Sequence, residues 1–216
     1  MQTQSTKKLV LLAMLAAVSY IMVALVRIPV VMFLSYEPKD VVITIGGFLL
    51  GPMAAFAISL VVSLVEMVTI SDTGVIGCIM NLISTCSFAC TAAFIYKKKH
   101  DLWGAVLGLL SGAVAMIAVM LLWNWLITPL YMQGVSREAV TAMLVPMFLP
   151  FNALKAGLNS AFVLALYKPL TTALRKTNLL PRSSSPKKKA NPGIYILAGL
   201  LLLTCVLWLL VIRGVI

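Results

Sequence analysis

Long apolar runs constrain this chain more than any other feature of its sequence. A helix needs about 20 mainly apolar residues to cross the hydrocarbon core of a bilayer, and the chain contains several runs of that length. Its 216 residues are 62% hydrophobic and only 11% charged. In lipid, backbone polar groups must be satisfied inside helices or closed barrels, and the alternating pattern typical of membrane strands is missing. The sequence therefore predicts an all-α membrane protein.

Proline, glycine and charged residues divide the chain into apolar segments. We place these segments at residues 9–34, 41–50, 53–70, 76–96, 102–127, 147–174 and 193–212. The first is interrupted by Arg27 and Pro29, residues 35–40 are predicted to form a polar hinge, and residues 128–145 a loop. The second segment is too short to cross a bilayer comfortably, because a helix rises about 1.5 Å per residue.

These segments predict three parts of the chain. Residues 1–175 form a six-helix membrane domain, residues 176–192 a basic Ser/Pro linker, and residues 193–216 an additional transmembrane helix. The linker is expected to be solvated because its composition cannot build a packed core.

The basic residues are placed at membrane edges, which argues against nucleic-acid binding despite a net charge of +11. Twelve of the 17 Lys and Arg residues fall on one side of the predicted topology: Lys7, Lys8, Lys97, Lys98, Lys99, Lys168, Arg175, Lys176, Arg182, Lys187, Lys188 and Lys189. The positive-inside rule makes that side cytoplasmic. We therefore expect a multi-pass plasma-membrane protein with a cytoplasmic N-terminus and an extracellular C-terminus.

Polar side chains in four apolar segments fall at a similar depth below the predicted outer face. These residues are Glu66, Asn81, Asn124, Asn152 and Lys155, and Asn159 continues the stripe of the last two at helical spacing. Polar groups inside a membrane are expensive and mark a ligand or ion site by default. A cavity lined by amides, an amine and aromatic rings suits a flat aromatic ligand with polar edges.

Each of these residues also has a simpler structural interpretation. Asn81 alone fits a helix cap, and Glu66 fits a hydrogen bond between helices. Lys155 has a stem long enough to reach the outer surface. Asn124 lies between two tryptophans and fits an interfacial aromatic belt. The convergence of four segments on one depth favours the cavity.

Small residues mark two helix faces. Gly104, Gly108 and Gly112 recur every fourth residue, which in lipid allows close helix packing inside the bundle. Ala13 and Ala17 form a second smooth face, which suits either internal packing or a partner helix.

Motifs for covalent chemistry are missing from the sequence. It contains no phosphate-binding G-x-x-x-x-G-K-[ST], no H-E-x-x-H and no G-x-S-x-G, and it has one histidine. We expect no enzymatic activity, no metal site and no cofactor. A binding pocket without an energy source implies a partner that supplies energy.

Residues 46–54 (Gly-Gly-Phe-Leu-Leu-Gly-Pro-Met-Ala), with the short second segment, resemble the substrate-binding S-components of energy-coupling factor (ECF) vitamin transporters. The stretches Asn124…Pro129-Leu130-Tyr131 and Pro150-Phe151-Asn152-Ala153-Leu154-Lys155 are similar to the riboflavin-specific RibU branch. The resemblance covers residues 8–175, and the chain departs from it with the linker and the added helix.

The resemblance implies roles for particular residues. Asn124, Asn152 and Lys155 would hydrogen-bond a flavin, and Tyr131 belongs to the same stretch. Leu34 and Glu37 lie in a loop that would close over the pocket. Ala13 and Ala17 would dock on the ECF transmembrane coupling subunit, which two cytoplasmic ATPases drive.

Riboflavin would then be the transported substrate. Two alternatives remain at this point. One is an S-component for another vitamin, such as pantothenate, folate or a modified base. The other is a structural membrane protein without a small ligand.

Overall fold

The computed structural model describes residues 2–31, 34–71, 73–131, 135–176 and 192–212. Helices make up nearly all of the described chain. In chain order the elements are α1 (Gln2–Leu25), β1 (Ile28–Val31), β2 (Leu34–Tyr36), α2 (Lys39–Leu50), α3 (Pro52–Thr69), α4 (Gly74–Lys98), α5 (Leu102–Tyr131), α6 (Arg137–Met143), a π-helical turn (Leu144–Phe148), α7 (Leu149–Lys176) and α8 (Pro192–Ile212).

Within these described ranges, six helices are long and apolar enough to cross a membrane. They are α1, α3, α4, α5, the continuous helix formed by α6 and α7, and α8. The 12 residues of α2 span only about 18 Å, so α2 does not join this set. Together with α2, the first five form the predicted six-helix body, and α8 is the added C-terminal helix.

Helix α2 is the most enclosed element of the bundle. Every residue from Lys39 to Phe48 is buried, including the two charged residues of its first turn. Gly47 lets α2 approach its neighbours, since a Cβ there would lie 2.9 Å from the Cβ of Ala93 and 3.0 Å from that of Ala55. The prediction of a short second helix is confirmed, and its place is at the centre of the bundle.

The connection between α1 and α2 differs from the prediction. Helix α1 ends at Leu25, and the residues that follow form an antiparallel hairpin in which Ile28 lies opposite Tyr36. Pro29 lacks a backbone donor and the neighbouring residues are β-branched, which together favour strand over helix. Helix α1 thus ends at the predicted interruption by Arg27 and Pro29, whereas the predicted hinge over 35–40 was wrong, because its first residues belong to β2. Lys39 and Asp40 already belong to α2.

The predicted loop over residues 128–145 is also largely wrong. Helix α5 continues to Tyr131, and α6 begins at Arg137 after Ser136, whose hydroxyl accepts a hydrogen bond from the backbone N–H of Ala139. A π-helical turn then joins α6 to α7 without a break. This turn contains Pro146, which has no N–H to donate, and a wider turn accommodates such a missing bond.

The glycine face of α5 packs on α4, as the spacing predicted. A Cβ added at Gly108 would lie 2.7 Å from the carbonyl oxygen of Ala92, and one at Gly112 would lie 2.5 Å from that of Phe88. Both distances are shorter than van der Waals contact with backbone atoms that cannot move alone. The two helix backbones therefore approach as closely as glycine permits.

Helix α8 lies against α7 and the hairpin. The Sγ of Cys205 occupies the space above Gly157, where an added Cβ would approach it to 2.8 Å. Cys205 joins an apolar cluster with Leu34 and Tyr36 of the hairpin and Leu158 of α7. The added helix thus shares a core with the hairpin.

The α4–α5 contact yields a stability prediction. Gly112→Ala should lower the free energy of unfolding by about 1–3 kcal/mol, because overpacking forces the helix backbones apart. Gly199→Ala in α8 is the matched control, since nothing lies within 4 Å of a Cβ added there. Thermal unfolding of purified protein in detergent measures both. Equal melting temperatures for the two variants would contradict the close contact.

Candidate functional site

A polar cavity lies at the end of the bundle that carries the hairpin. Its walls come from α1, the hairpin, α3, α4, α5 and α7. The predicted residues that line it are Leu34, Glu37, Glu66, Asn81, Asn124, Asn152 and Lys155. Met80, Met120, Phe151 and Ile76 add apolar surface. The structure therefore brings the polar groups of four separated segments into one chamber.

Two other residues singled out from the sequence are placed differently. The side chain of Tyr131 lies outside the described residues. Asn159 is completely buried behind the cavity, where its Nδ2 donates to Asp40 at 3.2 Å and its Oδ1 accepts from the Tyr36 hydroxyl at 3.1 Å. Asn159 thus supports the wall and is not part of its surface.

The amides of Asn124 and Asn152 are held in the same way. Asn124 Nδ2 donates to the carbonyl oxygen of Met120 at 2.7 Å, and Asn152 Nδ2 donates to that of Phe148 at 2.7 Å. Each bond runs back one turn along the residue's own helix, which fixes the side-chain rotamer. Both residues are at least 98% buried, so an aromatic belt facing lipid does not describe Asn124.

Phe148 is the last residue of the π-helical turn. Such turns leave carbonyl groups outside the regular ladder and occur frequently at functional sites. The bond from Asn152 to the Phe148 carbonyl orients the amide at the end of this turn. Pro146 and Pro150 are the sequence feature from which this irregular turn could have been predicted.

Asp40 of α2 is the anchor for Lys155. The Lys155 Nζ lies 3.2 Å from Asp40 Oδ2, while Thr85 donates to Oδ1 at 2.7 Å. With the bond from Asn159, three donors from α4 and α7 surround one fully buried carboxylate. A buried charge is stable only when it is paired and hydrogen-bonded in this way. Lys155 therefore does not extend to the outer surface.

Lys39 of α2 forms ion pairs with two further carboxylates, those of Glu37 and Glu66. Its Nζ lies 2.8 Å from Glu37 Oε2 and 2.5 Å from Glu66 Oε2, and its side chain is 1% exposed. Asn81 Nδ2 donates to the same Glu66 oxygen at 3.2 Å, and Arg27 Nε lies 3.2 Å from Glu37 Oε1. Glu66 thus forms a bond between helices and also faces the cavity.

The network is electrically neutral. Three cations (Arg27, Lys39 and Lys155) meet three anions (Glu37, Asp40 and Glu66). Sequence reasoning missed Lys39 and Asp40, which were assigned to a polar hinge. The sequence did contain a feature that could have identified them, because Glu66 and Lys155 in apolar helices each required a partner of opposite charge.

Tyr36 links the hairpin to this network. Burial raises the pKa of the Tyr36 phenol, and the nearby Asp40 carboxylate raises this pKa further. The hydroxyl therefore stays protonated and donates to Asn159 Oδ1. The position of the hairpin is thereby coupled to the buried wall of the cavity.

Among the residues with described positions, no group of three or more His, Cys, Asp or Glu side chains is arranged to hold a metal. The cavity presents amides, charged groups held in ion pairs and apolar surface. This chemistry suits selective binding of a small polar-edged molecule.

Comparisons with known proteins agree with this architecture. A family model described as "ECF transporter, substrate-specific component" matches residues 7–167. A solved structure entitled "Structure and mechanism of the S component of a bacterial ECF transporter" superposes with a TM-score of 0.66 at 27% identity, covering 79% of this chain and 99% of the other. Both the sequence and the fold therefore match over the six-helix body.

Two curated relatives have similar sequences. The riboflavin transporter RibU of Staphylococcus aureus (strain TCH60) is 25% identical over 182 residues, which covers 80% of this chain and 95% of that protein. The riboflavin transporter FmnP of Bacillus subtilis (strain 168) is 29% identical over 160 residues, covering 69% and 84%. The family and these relatives are transport proteins and not enzymes, and together with the six apolar helices they indicate a multi-pass plasma-membrane protein. This chain belongs to the family of substrate-specific components of ECF transporters.

Proposed function

We propose that the polar cavity binds riboflavin, or a close flavin analogue, for uptake into the cell. The single observation that carries this proposal is the convergence of Asn124, Asn152 and Lys155 on one cavity with apolar walls. Amides and an ammonium group complement the carbonyl and ring-nitrogen edges of a flavin, while Phe151 and Met120 offer surface for its faces. The names of the two curated relatives support the same ligand.

The three polar residues have distinct roles in this proposal. Asn124 and Asn152 each use one amide hydrogen on their own helix, and Asn124 Oδ1 also accepts from the Thr128 hydroxyl at 3.0 Å. Both amides are therefore oriented in advance and keep a second amide hydrogen for a ligand. Lys155 keeps Asp40 as its counterion and donates a further hydrogen to the ligand. Such preorganisation reduces the entropy that is lost on binding. Tyr131 remains a candidate at the end of α5.

Leu34 and Glu37 of the hairpin cover one side of the cavity. We assign them to the gate through which substrate enters. Glu37 is held by both Arg27 and Lys39, so an opening of the hairpin must break ion pairs at its base. The gate is therefore expected to be closed at rest.

The hairpin end faces the outside of the cell in this proposal. The opposite end carries the basic residues in the last turns of α4 and α7, and the positive-inside rule places it in the cytoplasm. The N-terminus then lies in the cytoplasm and the C-terminus outside. Substrate is captured outside and delivered to the cytosol.

Energy comes from partners in this proposal, namely an ECF transmembrane coupling subunit and two cytoplasmic ATPases. Helix α1 supplies the surface for the coupling subunit. Its buried stripe contains Leu11 and Leu15, whereas Ala13 and Ala17 lie on its exposed face. Small exposed residues in lipid allow a partner helix to approach closely.

No feature of the cavity favours the alternative that this chain binds another vitamin, such as pantothenate, folate or a modified base. A structural protein without a ligand is not favoured either, since it would have no use for a set of polar groups enclosed at such cost.

Removal of a ring-binding residue should weaken riboflavin binding. Asn124→Ala, Asn152→Ala and Lys155→Ala should each raise Kd roughly tenfold or more, because a hydrogen bond to a polar or charged group contributes about 1–3 kcal/mol. The assay is fluorescence-quenching titration of riboflavin with purified protein in detergent. Thr204→Val is the matched control, because Thr204 also donates to its own helix but lies on α8, away from the cavity. Unchanged affinity in all three variants would remove the pocket assignment.

Changes on the exposed face of α1 should affect transport and leave binding intact. Ala13→Trp and Ala17→Trp should reduce both riboflavin uptake and co-purification with the coupling subunit, because the large ring holds the partner helix away. Val114→Trp on α5 is the control, because Val114 is also exposed (68%) but lies on a different helix. If uptake is equally reduced by Val114→Trp, the α1 face has no special role in docking.

A further inference from the structure

Helix α8 lies beyond the part of the chain that matches the family. The family model ends at residue 167, whereas α8 begins at Pro192. Of the α8 side chains that the structure describes, only Ala198 and Cys205 are buried, and their spacing of seven residues places them on one face. Most of the remaining surface of α8 is apolar and exposed to lipid. The contacts of this one face therefore indicate what α8 does in the molecule.

The buried face of α8 packs against the hairpin that covers the cavity. Cys205 belongs to one apolar cluster with three hairpin residues, Val30, Leu34 and Tyr36. Leu201 and Leu202, which are partly buried, pack against the same cluster. The hairpin has strands of only four and three residues, and a two-stranded hairpin is marginally stable by itself. Its position therefore depends on the surfaces that pack against it, and α8 is one of them.

Leu34 connects this contact to the polar cavity. It lines the cavity and also belongs to the apolar cluster that contains Cys205. Among the described residues of α8, by contrast, none lines the polar cavity. Helix α8 thus contacts the gate without contacting a molecule that is bound behind it.

This arrangement has a kinetic consequence. Movement of the hairpin away from the cavity must separate it from α8, so the packing between them favours the closed gate. Because α8 does not touch the bound molecule, it stabilises the empty closed state and the loaded closed state equally. Such a contact lowers the rates of entry and exit by the same factor and leaves the dissociation constant unchanged.

We propose that α8 is a clamp on the gate hairpin, and that Leu201, Leu202 and Cys205 set the rate at which substrate enters and leaves the cavity. This inference rests on the proposed function, in which the hairpin is the gate for riboflavin. The ion pairs of Glu37 and the apolar contact with α8 are then two separate restraints on the same hairpin.

The test is a stopped-flow measurement of riboflavin fluorescence with the full chain in detergent. Leu201→Ala/Leu202→Ala should raise the association and dissociation rate constants by the same factor, roughly tenfold, because two leucines lose their packing on the cluster. Cys205→Ala removes less volume and should raise both rate constants about threefold. In both variants Kd should remain within about twofold of its value in the unmodified protein.

Leu200→Ala/Leu203→Ala is the matched control, because it makes the same two substitutions on the same helix at positions that are 57% and 55% exposed. This control should leave both rate constants unchanged. If Leu201→Ala/Leu202→Ala does not fold, Cys205→Ala decides the question by itself.

Riboflavin binding with unchanged rate constants in the variants of the buried face overturns the clamp alone. A purely structural role for α8 would loosen the cavity, which raises the dissociation rate and Kd without raising the association rate, and that result overturns the clamp as well. Failure of the unmodified protein to bind riboflavin instead overturns the proposed function, and the clamp with it.

Discussion

The need to neutralise five buried charges in a lipid-embedded bundle determines how this molecule is built. Charged groups cannot remain unpaired in a low-dielectric interior, and the N-terminus of α2 supplies the required partners in two adjacent residues. Lys39 joins the hairpin to α3 through Glu37 and Glu66, and Asp40 joins α2 to α4 and α7 through Thr85 and Lys155. The first turn of α2 therefore lies at the junction of the hairpin with α3, α4 and α7.

The same network shapes the cavity. Side chains that are committed to an ion pair or to their own helix keep one orientation, so their remaining donors and acceptors point to fixed places. Asn124 and Asn152 are fixed by backbone carbonyls, Lys155 by Asp40, and Glu66 by Lys39. The π-helical turn before Asn152 provides one of these carbonyls. Stability and recognition thus depend on the same contacts.

Much of the fold could be predicted from the sequence, because apolar length and helix-breaking residues report directly on membrane helices. The glycine face of α5 and the shared depth of Asn124 and Lys155 followed from spacing alone. The interruption of the first segment at Arg27 and Pro29 was predicted, but the hairpin was missed because the residues around Pro29 are as apolar as those of a membrane helix. The pairing of Asp40 with Lys155 joins residues far apart in sequence, and only the fold specifies such a contact.

A double-mutant cycle on Asp40 and Lys155 tests the central role of the network most directly. Asp40→Asn and Lys155→Met should each lower the unfolding free energy of the ligand-free protein by about 3–5 kcal/mol, because each leaves a buried charge without its partner. The double variant should be destabilised by much less than the sum of the two single effects. Strictly additive losses, measured by thermal unfolding, would contradict the account, because the two side chains would then not depend on each other.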